Sequence, residues 1–144
     1  MNRPRTVRAT VSRRRPKRHG PAPGSEEELH RAVADFLRHA LRPHECLWFH
    51  VPNGGWRSDA EGGVLKALGV MAGIPDLLFV RPGAKLAAIE LKSAAGKTTC
   101  TQKAVALALG RLGVPVRVCR SIDDVELALS IFNIPNHAHS RVRP

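Results

Sequence analysis

Apolar residues recur at helical spacing at Leu29, Val33, Phe36, Leu37 and Ala40, which predicts a first helix over about residues 26–41. Ser25 and Glu28 have capping-box spacing at its start, and Pro43 stops it. The run "CLWFHV" before Pro52 has the aromatic and β-branched character of a strand, and "NGGWRSDAEGG" after it reads as a loop. Between glycines, "GGVLKALGVMAG" allows a helical turn or two. Residues 77–80 and 86–92 then read as two strands of a hairpin turned at "RPGAK". Period-two alternation in the second strand sets Leu86, Ala88, Glu90 and Lys92 on one face and Ala87, Ile89 and Leu91 on the other. After the loop "SAAGKT", residues 99–112 read as a long helix with Thr99 and Gln102 at capping-box spacing and Gly113 at its end. "VPVRVCR" gives a fourth strand, and Ser121 with Asp124 opens a last helix reaching about Phe132. The order α-β-β-β-α-β-α predicts an α/β fold, a small mixed β-sheet flanked by helices, with a right-handed crossover from the hairpin to the last strand.

At 144 residues, 43% of them hydrophobic, the chain has material for one domain with a real core. The expected organisation is a disordered basic tail over 1–24, the domain over 25–132 and a C-terminal tail over 133–144. No window of about 18 residues lacks charge, which argues against a membrane span. Residues 1–20 lack the apolar segment of a secretory leader, so a cytoplasmic location is expected, nucleoid-associated or in a host cytoplasm if phage-encoded. Cys46, Cys100 and Cys119 are far apart and form no CxxC pair, so they read as reduced, mostly buried thiols rather than a zinc or disulfide framework. The net charge of +11 is concentrated before Gly20, where eight Arg and Lys residues occur without an acid. Such a tail either attracts a polyanion, nucleic acid foremost, or is a solvated extension; "RRRPKRH" also has the look of a nuclear-import patch.

Charge inside the hairpin is what composition does not explain. Burying an unpaired charge costs several kcal/mol, yet Asp76 opens the first strand, and Glu90 and Lys92 share a face at the end of the second. Two carboxylates at one sheet edge suit a hard divalent cation, and a lysine beside them suits charge building on a phosphate. The pattern fits hydrolysis of phosphodiesters; a salt-bridged pair at a strand end is the plainer reading of Glu-x-Lys alone.

The wider surroundings narrow this. "GIPDLLFV…LAAIELKSAAGKTTCTQ" resembles the PD-(D/E)xK, or restriction-endonuclease-like, superfamily. "HVPNGGWR", "LKALGVMAGIPD", "IELK", a downstream Gln and "ALGRLGVPVRVCRS", in this order from about Ser25 to Leu129, resemble its VRR-NUC family. The resemblance implies a divalent-metal endo- or exonuclease on branched, flap or junction DNA, with stand-alone members acting as homodimers. It implies that Asp76, Glu90 and the backbone carbonyl of Leu91 hold Mg²⁺ or Mn²⁺, that Lys92 positions the water, and that Gln102 contacts nucleophile or phosphate. Gln102 also reads as a helix cap. The family's early helix glutamate falls among Glu26, Glu27 and Glu28; Glu26 edges the face that packs on the sheet and is taken as a catalytic, second-metal or water-binding carboxylate. His30 stands where the family commonly has glutamine, and reads as a satisfied core histidine. Asn53, Arg57, Lys66 and Lys97 are the expected nucleic-acid contacts.

Other readings are weaker. "AAGKT" is not a phosphate-binding loop of the GxxxxGK[ST] type, because its first glycine would fall on Leu91. His39, His44, His50, His137 and His139 show no zinc spacing. The alternative from another class is a non-catalytic DNA-binding module with the same fold; a third is an assembly protein that uses its tail alone.

Overall fold

The computed structural model describes residues 24–52 and 59–138. The elements are α1 (Glu26–Ala40), β1 (Leu47–His50), α2 (Asp59–Ala67), β2 (Leu77–Arg81), β3 (Lys85–Leu91), α3 (Cys100–Arg111), β4 (Val116–Cys119) and α4 (Ile122–Ile131). The four strands lie in sequence order in one sheet; β1, β2 and β3 are antiparallel neighbours, and β4 joins β3 in parallel. The expected mixed α/β sheet is present, with one addition. The stretch expected to hold loop and a turn or two contains the nine-residue helix α2.

Three of the four helices start on a side-chain cap. Ser25 accepts the Glu28 N–H, Thr99 accepts the Gln102 N–H while Gln102 returns a bond to the Thr99 N–H, and Ser121 accepts the Asp124 N–H. Such caps contribute about 1 kcal/mol each. The hairpin between β2 and β3 turns through Gly83 and Ala84, both at positive φ.

Register decides what each face carries. Leu77 and Phe79 lie opposite Ile89 and Ala87, and all four are fully buried with Leu91 against α1 and α4. Val33, Leu37 and Ala40 of α1 and Val125, Ala128 and Leu129 of α4 complete that core. The opposite face carries Leu47, Phe49 and Leu86, all at least 40% exposed, and runs to Ala88 and Glu90 at its buried end. Packing therefore continues past the last helix on one side only: Ile134 is buried in the core, His137 N–H donates to Ala40 O, and His137 Nε2 lies 2.6 Å from Glu45. That contact pulls the Glu45 carboxyl below its usual range, chiefly through the His137 hydrogen bond. Two thiols behave as expected. Cys46 and Cys119 are buried, and burial pushes Cys119 up to about 12, whereas Cys100, the first residue of α3, is exposed.

Gly73 determines how closely α3 can approach. Its φ is +83°, and a Cβ there would sit 3.0 Å from the backbone C and O and the Cγ2 of Thr101. Left-handed backbone disfavours any L side chain by about 1–2 kcal/mol, and here the added carbon also meets backbone. Gly73→Ala is expected to lower unfolding free energy by about 2 kcal/mol, read as a shift of the denaturant midpoint at unchanged slope. A variant as stable as the parent would show that α3 yields freely.

Candidate active site

The carboxyl end of β3 gathers charged and polar side chains from four elements. Asp76, immediately before β2, is fixed by the neighbouring strand: its Oδ2 accepts the Leu91 N–H at 2.8 Å. Its own carbonyl accepts Val51 N–H at 2.9 Å and His50 Nδ1 at 3.0 Å. A carbonyl only accepts, so His50 Nδ1 carries the hydrogen. Glu90 is 4% exposed and Lys92 7%. Lys92 Nζ lies 2.8 Å from Glu90 Oε1 and 3.3 Å from Glu26 at the start of α1. Gln102 Nε2 donates to the same Glu90 Oε1.

The electrostatics follow from this packing. Burial pushes the Glu90 carboxyl up; Lys92 opposes, and Asp76 and Glu26 add to the rise by repulsion. For Lys92 burial is the largest influence and pushes down, but the attraction of Glu90 and Glu26 together outweighs it and the ammonium is held above its usual range. The site thus carries more acid than its single lysine neutralises, the condition a dication relieves.

The donor set fits such an ion. Among the described residues, Asp76 Oδ1 and Glu90 Oε2 carry no hydrogen bond, and both are hard oxygen donors of the kind Mg²⁺ and Mn²⁺ take. Among the described residues there is no ready-made cluster of three or more His, Cys, Asp or Glu side chains, so the fit rests on two carboxylates with backbone oxygen and water.

The structure brings together Glu26, Asp76, Glu90, Lys92 and Gln102, and separates the three helix glutamates. Glu27 pairs with Arg31 at 2.6 Å, Glu28 closes the helix start through Gly24 N–H, and Glu26 alone turns to Lys92. Gln102 holds both of its readings at once, since Oε1 caps α3 and Nε2 reaches Glu90. Lys66, in the last turn of α2, and Lys97, in the loop before α3, are exposed. Asn53 and Arg57 lie outside the described residues.

Two features escape a reading of the sequence. Arg120, just past β4, donates from Nη1 to the carbonyls of Ser93 and Gly96, both at 2.7 Å, pinning the loop that joins Lys92 to α3. A lone arginine after a strand reads as solvated; its signal was a cation following a strand that pairs with the one carrying Glu90. Beside the carboxylates a cleft of about 840 Å³ runs between α1 and β1, lined by Glu26, Asp76, His30, His50, Trp48 and the Arg31–Arg38 face of α1. His30, read as a core residue, is half-buried at its wall with its ring edge-on to His50, centroids 4.3 Å apart. Burial, then the neighbouring His50, lowers its pKa. The signal here was period two in β1, which sends Trp48 and His50 to one side.

Such a sheet, with Asp, Glu-x-Lys and a helix glutamine meeting at one edge, defines a small α/β domain of nuclease type. The VRR-NUC domain model matches residues 6–123, and the chain belongs to the VRR-NUC family. The match takes in much of the basic N-terminal segment that the sequence pattern sets outside the domain. A solved structure described as a VRR_NUC domain protein is similar in fold, with a TM-score of 0.60 and 24% identity over 77% of this chain and 90% of that one. No curated protein matches the chain. Among the described residues no helix is long and apolar enough to cross a membrane.

Proposed function

We propose that the chain is a divalent-metal-dependent deoxyribonuclease that hydrolyses phosphodiester bonds, selective for branched, flap or junction DNA. The observation that carries this reading is the buried Glu90–Lys92 pair set beside Asp76 with acid in excess. Asp76 and Glu90, with the Leu91 carbonyl, would hold Mg²⁺ or Mn²⁺, which when bound supplies charge neutralisation at the phosphate and acidifies the attacking water. Lys92, fixed by Glu90 and Glu26, stabilises negative charge as it builds on the phosphate. Gln102 orients Glu90 through its amide, and contact with the nucleophile or phosphate is its second proposed role. Glu26, half-exposed, holds Lys92 Nζ together with Glu90. Lys97 and Lys66, with Asn53 and Arg57, would hold phosphates flanking the cut, and the basic N-terminal segment adds affinity that falls steeply with salt. The same reading takes the chain as half of a homodimer, supported by the exposed apolar face of Leu47, Phe49 and Leu86.

The test is cleavage of labelled single-stranded, duplex, flap and four-way-junction DNA with Mg²⁺, with Mn²⁺ and with EDTA. Products in either metal and none in EDTA are expected, with branched or flap DNA cut fastest. Salt-sensitive binding of all four DNAs without products in either metal would leave a binding module and end the catalytic reading.

A further inference from the structure

The cleft beside the carboxylates is not built for a phosphate backbone. Its two arginines are already engaged along α1, Arg31 with Glu27 at 2.6 Å and Arg38 with Asp35 at 2.5 Å. Glu26 and Asp76 close its catalytic end. What remains along the wall is flat: Ala34, the edge-on pair of His30 and His50, and Trp48. Trp48 packs against the core and also lines the cleft, so its ring is held rather than free to swing. β1 is the outer strand of the sheet, which leaves this wall open on its far side among the described residues.

A held indole facing an open cleft accepts another π-surface, and nucleobases stack on aromatic side chains largely without regard to sequence. We propose that this cleft receives an unpaired nucleobase adjoining the cleaved bond, stacked on Trp48. A base inside a duplex already has neighbours on both faces and cannot offer one, so the strand must be single-stranded or splayed at this position. The inference rests on the nuclease reading for the nature of its ligand, and it adds the feature by which unpaired DNA is distinguished from duplex. His50 contributes by fixing the cleft floor to Asp76 O, which ties the base position to the carboxylate beside it.

The test reads binding apart from cleavage. In the full chain with Trp56→Phe, Trp48 is the sole indole, and its fluorescence is followed in EDTA while a short oligodeoxythymidine or a blunt duplex is added. Salt is set high enough to suppress backbone contacts. The single strand is expected to quench the emission and the duplex to leave it unchanged. Trp48→Leu, which keeps apolar packing on the core, is expected to weaken single-strand binding about tenfold or more, and Trp48→Phe to restore most of it. Equal quenching by both DNAs, no quenching by the single strand, or undiminished binding by the leucine variant would overturn the proposal. Metal-dependent cleavage indifferent to residue 48 would remove the subsite alone. Trp48-dependent single-strand binding without cleavage in any metal would remove the nuclease reading and leave the subsite.

Discussion

Glu90→Gln is expected to stay folded and to lose cleavage by on the order of 10³-fold. The amide has the carboxylate's shape, and its oxygen still accepts from Lys92, so the packing at the end of β3 is preserved. What disappears is a negative charge that two neighbouring acids already oppose. For the fold that loss is mild or favourable, because burying a carboxylate beside Asp76 and Glu26 is an unfavourable arrangement. Under the proposed metal site it removes one of two charged ligands. Cleavage rate and denaturant midpoint measured on one preparation separate the outcomes. A variant that cuts within a few-fold of the parent would show that Glu90 is structural; one that unfolds early would show that its charge holds the sheet end together.

Lys92→Met is expected to damage both properties. Methionine fills the space of the lysine stem, but Glu90 keeps a buried charge without its ammonium, a change that costs about 3 kcal/mol when one partner of a buried pair is removed. The pH dependence has a definite sign. Glu90 already ionises later in the folded chain than in the unfolded one, and without Lys92 the gap widens. Between its unfolded and folded pKa values the folded state binds the extra proton, so stability falls as pH rises through that window. The deficit of the variant relative to the parent should therefore be larger at pH 8 than at pH 5, measured by chemical denaturation at both. An equal deficit at the two pH values would mean that packing, not charge, accounts for the loss. Cleavage should be lost at either pH if Lys92 is the cation that meets the phosphate, as proposed.

How far these residues could be read in advance depended on sequence distance. Glu90 and Lys92 are two apart on a strand, and period two alone places them together. α1 was legible because its apolar stripe and its Ser25 cap agree. α2 was obscured by Gly62 and Gly63, each about 1 kcal/mol less favourable than alanine in a helix, and none of its described side chains is buried, so no apolar stripe marked it. The Lys92–Glu26 contact spans 66 residues and required the fold, although helical geometry had singled out Glu26 from its two neighbours. Arg120 acts through two backbone carbonyls, and a partner of that kind leaves no mark in side-chain pattern.

The two-ended use of Gln102 bears on how this chain can drift. Glutamate at 102 would serve the helix cap as well as glutamine does, and it is a common replacement in such boxes. Here it would set a third carboxylate against Glu90, where the amide now donates. Asparagine keeps the amide but is one carbon short of spanning cap and carboxylate together, and lysine offers the donor without the acceptor that Thr99 N–H needs. A position that looks like an interchangeable surface cap is thus a bottleneck, since the cap and the Glu90 contact together leave few side chains that meet both demands.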